Sequence, residues 1–549
     1  MEAEPISIVL DYLNPARLFG PIFDKELRVS SRRKRNYLIR SLYIILLVSY
    51  ILTKWYSVGI SGSSSIIYRV SRMAEIGQSV IIGIIWFQFV VLQVLAIIML
   101  SSSISDEIRT GTLNVLMTTP INSFQIVTGK LSSKLLQVLL LLAMSLPLLA
   151  IVRVLGGISW HYLVSSFLIT LTAVLFAGSL SLLLSIFYRQ AHHVILIVLI
   201  GYLLFFGILP SLLFSKLSSP YSIATLINPV WAMVDNTVQI TTPATGFVDT
   251  FFHCLIMSGI SFVLLAISVL FIRHAAIGGK HPESISRKVI KDEKGVEVAH
   301  YYENHSYIHR VVGSPVMWKE KQKGFWGKNQ TDRIVTISLV CLFVLLTIAF
   351  FFSQNNTISI IITRYSISGM FLAVMVRLAV ETAGSIAGEK EARTLPVLLV
   401  SPLKDKDIIR GKVKAALWRN FPLLILYLFL NILLYIFPRS IGFFNLILQI
   451  PFLALSITFA VLFIIGCGSY FGVRAKNSAT AIALTIGSYF AYTYLLNPVL
   501  ISIFYILSRT KSKFMFVMLI VTWLPKILMG AAGWYLLRRS IRELRYNVF

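Results

Sequence analysis

Apolar runs long enough to cross a bilayer constrain this chain more than any other feature. They recur near residues 37–53, 76–103, 131–152, 162–188, 194–215 and 251–273, and again near 334–353, 366–387, 413–436, 443–472, 479–496 and 514–537. A run of this length that is nearly free of charge has to end up in hydrocarbon, and there only a helix closes its own backbone hydrogen bonds. The expected fold is therefore all-α and polytopic. It has twelve transmembrane helices as two parallel six-helix repeats. The composition agrees: 56% of residues are hydrophobic, 13% are charged and mean hydropathy is +0.79.

A formal charge of +27 would suit a nucleic-acid partner if the basic residues formed a face. They do not; they flank the apolar runs. With both termini inside, 38 of the 50 Lys and Arg fall in inner loops or at inner span ends, as the positive-inside rule requires. Nucleic acid is excluded as a partner, and membrane lipid is implied. Cys254, Cys341 and Cys467 lie in or beside apolar runs with no metal-ligand spacing, so neither a disulfide framework nor a zinc site is expected. The opening MEAEPISIVLDYLNP lacks a basic-then-apolar signal pattern.

The polar segments carry the functional information. Ile104–Lys130 aligns without a gap to Ile386–Lys412, with ten of twenty-seven positions identical, against roughly one or two expected by chance. The identities include Glu107/Glu389, Thr112/Thr394, Leu113/Leu395, Val115/Val397, Leu116/Leu398, Pro120/Pro402 and Gly129-Lys130/Gly411-Lys412. Other features recur in the same order. Pro21-x-x-x-Lys25-Glu26 returns as Pro315-x-x-x-Lys319-Glu320, Arg189 as Arg474, and Asn228-Pro229 as Asn497-Pro498. The halves are expected at 1–280 and 313–549, joined by a polar cytosolic linker over 281–312. Six spans in each half make the repeats parallel, about an axis along the membrane normal.

Before the first span, Leu18, Ile22, Phe23 and Leu27 form an apolar stripe beside Lys25, Glu26 and Arg28, followed by Arg32-Arg33-Lys34-Arg35. This spacing predicts an amphipathic helix in the membrane interface. The apolar content of 216–250, too short to span, predicts partial helices dipping in from the outer side.

Catalytic chemistry is hard to place. No glycine stands five residues before Gly129, Gly279 or Gly411, and the lysines that follow them precede Leu131, His281 and Val413, so the chain has no P-loop. His192-His193 and the linker histidines His281, His300, His305 and His309 read as polar turn and solvated linker. No catalytic, cofactor-binding or metal-binding residue is expected. Charges inside spans are rarer. Arg377 and Glu381 lie four apart on one face, at positions occupied in the first half by Leu95 and Met99. They either pair helices or line a pathway. Lys526, after Pro525, sits at a kink, faces a cavity or snorkels.

Glu107-x-x-x-Gly111-Thr112-Leu113, then Thr118-Thr119-Pro120 and Gly129-Lys130, resembles the inner loop of ABC-2 type transporter permeases; Glu389-x-x-x-Arg393-Thr394-Leu395 through Ser401-Pro402 and Gly411-Lys412 is similar. The resemblance covers both halves. It implies an exporter's membrane subunit in which each loop forms a coupling helix against a separate ABC ATPase subunit. Carried over by position, ATPase coupling falls to Glu107, Gly111, Thr112, Leu113 and Leu116, and to Glu389, Arg393, Thr394, Leu395 and Leu398. The entry-helix residues Lys25, Glu26, Lys319 and Glu320 contribute to the same contact. The resemblance further implies two ATPase copies, ATP and Mg bound by the partner and not by this chain, and a prokaryotic cytoplasmic membrane. The loop's own composition leads to an expectation that Leu113, Leu116 and Met117 face a partner groove, with Glu107 free to meet a basic group. Here the two six-span permeases are fused, and Pro396 replaces Asn114, which breaks or restarts the second coupling helix. The alternatives are a secondary transporter with two six-span halves, a membrane-embedded lipid or glycan enzyme, and an integral scaffold.

Overall fold

Hydrocarbon offers no partner to a free N–H or C=O, so each apolar segment has to satisfy its backbone internally. The structure is a computed structural model. It describes residues 15–32, 34–59, 66–119, 121–188, 191–202, 205–206, 226–240, 246–277, 290–291, 297–298, 314–321, 333–334, 336–341, 343–345, 357–436, 443–497, 499–500 and 514–546. Nearly all of these are helical. The exception is a two-residue antiparallel pair, β1 (Ile290–Lys291) with β2 (Glu297–Val298). Most of the 281–312 linker lies outside the described residues, as do Arg189, the serine run at 63–65, Pro120 and Pro498.

The helices, in chain order, begin with α1 (Pro15–Ser31), α2 (Lys34–Gly59), α3 (Ile66–Ser101), α4 (Ser105–Thr110) and α5 (Thr112–Met117). Then come α6 (Ser123–Gly156), α7 (Trp160–Phe187), α8 (Ala191–Tyr202), α9 (Pro229–Val238) and α10 (Gly246–Ile277). Past the linker lie α11 (Pro315–Lys321), α12 (Thr357–Glu391), α13 (Leu395–Val400), α14 (Asp405–Ile436), α15 (Phe443–Arg474), α16 (Ser478–Ala491) and α17 (Phe514–Glu543).

Among the described residues, seven segments are long and apolar enough to cross a membrane. They are Ala74–Ile108, Ser123–Val154, Trp160–Phe187, Thr250–His274, Ile367–Glu391, Asp405–Leu433 and Ile450–Arg474. Shorter apolar helices, Tyr43–Leu52, Ala191–Tyr202, Thr336–Leu345 and Ser478–Ala491, stand where four more spans are expected. The last expected span coincides with α17.

Helix contacts repeat between the two parts of the chain. α1 packs on α6 as α11 packs on α14; α3 packs on α6 and α7 as α12 packs on α14 and α15; and α7 pairs with α10 as α15 pairs with α17. The α15–α17 pair is the tightest. A methyl group on Gly466 would overlap the Gly533 carbonyl, so the two backbones touch there, as small residues allow in lipid. The parts meet through α3 against α16, and through α8 against α12 and α16. Ile195, Leu196 and Ile200 of α8 share one core with Val374 and Leu378 of α12 and with Ile486 of α16.

On the expected outer side, Asn228-Pro229 starts α9. The Asn228 carboxamide accepts from the amides of Val230 (2.9 Å) and Trp231 (3.3 Å) and donates to the Phe206 carbonyl at 2.8 Å. Proline then occupies the first helical position, where no N–H is needed. Asn236 anchors this partial helix by donating to Ser166 Oγ at 2.8 Å. Asn497 does not reproduce this arrangement; it ends the π-helical turn Tyr492–Leu496.

Candidate functional site

Each copy of the repeated loop turns at a residue in the left-handed region. Gly111 has φ +73° and, at the aligned position, Arg393 has φ +56°. Gly111 N donates to Ile108 O at 3.3 Å, and Arg393 N donates to Lys390 O at 3.0 Å. The substitution of arginine for glycine therefore leaves the turn intact. Each turn is followed by a six-residue helix, α5 or α13. Pro396 is the second residue of α13, where a missing N–H costs little, so the proline restarts the helix without disrupting it.

A lysine closes each loop. Lys130 Nζ donates to Ser103 O (2.8 Å) and to Glu107 Oε1 (2.8 Å). Lys412 Nζ donates to Ser385 O (2.9 Å) and to Glu389 Oε1 (2.8 Å). In both copies the lysine joins the start of one span to the end of the preceding one, with its ammonium nearly enclosed. Glu107 is therefore not free for a partner: Lys130 holds one oxygen and the Thr112 hydroxyl donates to the other. The recurrence of Gly-Lys marks these lysines in the sequence, but nothing there pairs them with Glu107 and Glu389.

The entry helices dock beneath the loops. α1 is amphipathic as its spacing predicts, and Ile22 packs with Ile104, Leu113, Ile126 and Ile272. Val316 of α11 takes the same place against Ile386, Ile408, Val473 and Leu544. A Cβ on Gly411 would sit 2.9 Å from Val316 Cβ, so only glycine admits this approach. Glu26 pairs with Lys134 at 3.2 Å, whereas Glu320 lies 3.8 Å from Lys412, which thereby faces two carboxylates. Lys25 and Lys319 point to solvent.

The orientation of the short helices differs from the expectation of a leucine face for a partner groove. Leu113 and Leu395 are 2% and 1% exposed, so they anchor the loop inward. Leu116, Met117 and Leu398 are half-buried. The apolar side chains that point away are Val115 at 65%, Val397 at 74% and Val400 at 86% exposure. Gly111, Thr112, Arg393 and Thr394 are exposed beside them. Hydrophobicity alone could not choose between Leu113 and Val115, because segments as short as TLNVLM and LPVLLV have no polar face.

Arg377 and Glu381 pair at 3.2 Å and also bridge helices. On α14, Arg419 Nε lies 3.6 Å from Glu381 Oε2, and Asn420 donates to the same oxygen at 2.8 Å. Arg419 and Asn420 were not singled out in the sequence because they sit near an inner span end, where a cation needs no explanation. Lys526 donates to Ser456 Oγ on α15 at 2.9 Å and lies over the Trp523 ring, so it ties α17 to α15. The His192 and His193 rings approach to 4.2 Å between centroids, closer than neighbouring helical positions suggest. No group of three or more His, Cys, Asp or Glu able to hold a metal occurs among the described residues.

These features define an integral, polytopic helical membrane protein with polar loops stapled at span ends. Residues 21–356 match the family described as ABC-2 family transporter protein, a match that runs through the linker past the first residues of the second half. It covers more than half of the 549 residues, and the chain belongs to that family. It is a membrane transporter permease. Among curated proteins none matches it.

Proposed function

We propose that the chain is a membrane subunit of an ATP-driven exporter. In this reading twelve spans form two parallel repeats, 1–280 and 313–549 around the 281–312 linker, and both termini lie in the cytosol of a prokaryotic cell. Cargo passes between the repeats, and ATP with Mg is bound and hydrolysed by two copies of a separate ABC ATPase. The observation that carries the proposal is the lysine-stapled loop, present twice with matching distances. A loop tied at both ends to spans transmits a push on its tip to those spans instead of absorbing it, which is what coupling across a two-state bundle needs.

The tip that receives the push is α5 or α13. Identity between the copies at buried positions follows from packing alone. Identity at Val115 and Val397 does not, because both are exposed. A shared contact outside the chain accounts for it, with Arg393, Lys25 and Lys319 at the rim. Glu107 and Glu389 act by holding the loop in position against Lys130 and Lys412. Arg377–Glu381, a charged pair near the inner end of its span that a secondary transporter could have used, is engaged by Arg419 and Asn420, which favours the ATP-driven reading.

The test is co-purification of ATPase subunits with the full chain from native membranes. Val115→Asp with Val397→Asp puts a charge in each contact, at a cost of more than about 1.4 kcal/mol apiece, so recovery of the ATPase should fall by at least about tenfold while membrane insertion persists. Full recovery with substrate-stimulated ATP hydrolysis intact would sink the coupling role.

A further inference from the structure

The charged set around Glu381 does not balance. Arg377 and Arg419 are 3% and 9% exposed, and among the described residues both find their ion-pair partner in Glu381 alone, at 3.2 Å and 3.6 Å. Two buried guanidiniums therefore share one carboxylate, which leaves one positive charge in excess. A guanidinium keeps its proton when buried, and a buried charge is costly unless it is paired and hydrogen-bonded. The hydrogen bonds are incomplete in the same sense. Arg377 Nη1 and Arg419 Nε, both enclosed, find no acceptor among the described residues. Asn420 donates to Glu381 Oε2 and to Ala416 O, and these leave the two arginine donors unmet. What is left over specifies the missing group: one negative charge, carried on acceptor oxygens that more than one guanidinium N–H can reach. A carboxylate or a phosphodiester has that charge and matches the planar arginine fork.

The set also stands where the two parts of the chain meet. Val374, Arg377, Leu378 and Glu381 follow the i, i+3, i+4, i+7 pattern of one face of α12. Val374 and Leu378 on that face share a core with Ile195, Leu196 and Ile200 of α8. Leu95 and Met99, the aligned residues of the first half, line a cavity of about 380 Å³ with Ala483 and Leu484 of α16. The same positions thus lie at the seam in both halves, apolar in one and cationic in the other. We infer that Arg377 and Arg419 bind a singly charged oxyanion, carboxylate or phosphodiester, admitted at the seam between α8 and α12. The inference deepens the transport reading, on which the anion's standing as cargo rests. Binding itself requires neither ATP nor a partner.

The full chain, delipidated in neutral detergent at constant chloride, is titrated with dioleoyl phosphatidylglycerol, sodium oleate, sodium acetate and uncharged dioleoylglycerol while thermal unfolding is followed. A bound anion gives a rise in Tm that saturates with concentration. Phosphatidylglycerol or oleate should produce it, the stronger of the two naming the oxyanion, and dioleoylglycerol should not. Acetate acting as strongly would assign the site to a free anion instead of a lipid head. Arg419→Gln leaves Arg377 and Glu381 as a neutral pair and should weaken binding at least about tenfold, whereas Arg419→Lys keeps the charge and should retain the response. The combined Arg377→Leu, Glu381→Met, Arg419→Gln and Asn420→Val variant carries no charge there and should not respond, which guards against a fault of folding in the single change. No response in the unaltered chain, an equal response in both neutral variants, or equal protection by dioleoylglycerol would overturn the site and place the balancing charge within the chain. Because no ATPase is present, these outcomes are separate from the failure of the Val115/Val397 test, which would remove the coupling role and leave the anion site standing.

Discussion

The two halves agree at the inner face and part company one turn deeper. At the loops, the residues that face inward are the same in kind and in geometry: Ile104 and Ile386, Leu113 and Leu395, Glu107 with Lys130 and Glu389 with Lys412. Gly111 differs from Arg393 at an exposed position and Asn114 from the half-buried Pro396, and both differences leave the turn and the short helix unchanged. Deeper in, Leu95, Met99, Gln137 and Val138 face Arg377, Glu381, Arg419 and Asn420 across the duplication. Here the difference falls on buried and half-buried positions and changes what the helices enclose. The loop tolerates surface change because its backbone is held by packing and one ion pair. The interior carries charge where four residues differ together, with Glu381 tied to Arg377, Arg419 and Asn420.

The strongest way to break that comparison is to remove the group that ties the set together. Glu381 stands between two guanidiniums, and Glu381→Met removes the counter-charge that the described residues give Arg377 and Arg419. Breaking a buried pair in this way costs about 3–5 kcal/mol, and two stranded cations place this case at the upper end. The variant should show the largest loss of thermal stability in detergent of any substitution considered. Restoring the first-half solution, Arg377→Leu, Glu381→Met, Arg419→Gln and Asn420→Val together, should recover most of it, because apolar replacement of a whole buried charge set is often neutral or better. A quadruple variant as unstable as Glu381→Met would show that the two halves are not interchangeable at this depth.

The loop lysines offer a smaller contrast. Lys412→Met removes a cation from both Glu389 and Glu320, the latter 7% exposed at its side chain, whereas Lys130→Met removes one only from Glu107, which is 26% exposed and keeps its Thr112 partner. The expected losses are about 3–5 kcal/mol for Lys412→Met and about 1–3 kcal/mol for Lys130→Met. Thermal unfolding of the two single variants checks the order. Equal losses would mean that Glu320 contributes nothing to the second staple.

The sequence made some of this visible, and physical reasons separate those parts from the rest. Span positions could be read because hydropathy over twenty residues is a strong signal, and the entry helix because its stripe has helical period. The loop was found through self-similarity, which needs no knowledge of its conformation. Its direction was hidden: in α5 and α13, apolar residues occur on every side, so only tertiary packing decides that Leu113 turns in and Val115 turns out. The staple was hidden for a related reason. Lys130 lies 23 positions from Glu107, and their meeting depends on how two spans converge. Arg377 and Glu381 could be read as a pair from their spacing, but Arg419 and Asn420 belong to another helix, and no periodicity reports a contact between helices.

The smallest expected effect sharpens the claim that the loops share one backbone. Gly111 adopts φ +73° at no steric cost, with nothing within 4 Å of where a Cβ would stand. Arg393 adopts φ +56° as an L-residue, at a cost of about 1–2 kcal/mol from its Cβ and the following carbonyl oxygen. Arg393→Gly should therefore relieve strain, partly offset by the greater freedom of glycine in the unfolded chain. The net change should be a gain of at most about 1 kcal/mol, and Gly111→Arg should give a loss of similar size. Opposite signs in thermal unfolding are the outcome that matters. Arg393 is also exposed on the face proposed to meet the ATPase, so Arg393→Gly separates two roles. If ATPase recovery falls while stability rises, the arginine is held in a strained turn for the contact its guanidinium makes. If both rise together, the turn alone matters, and the two loops present equivalent tips despite their different sequences.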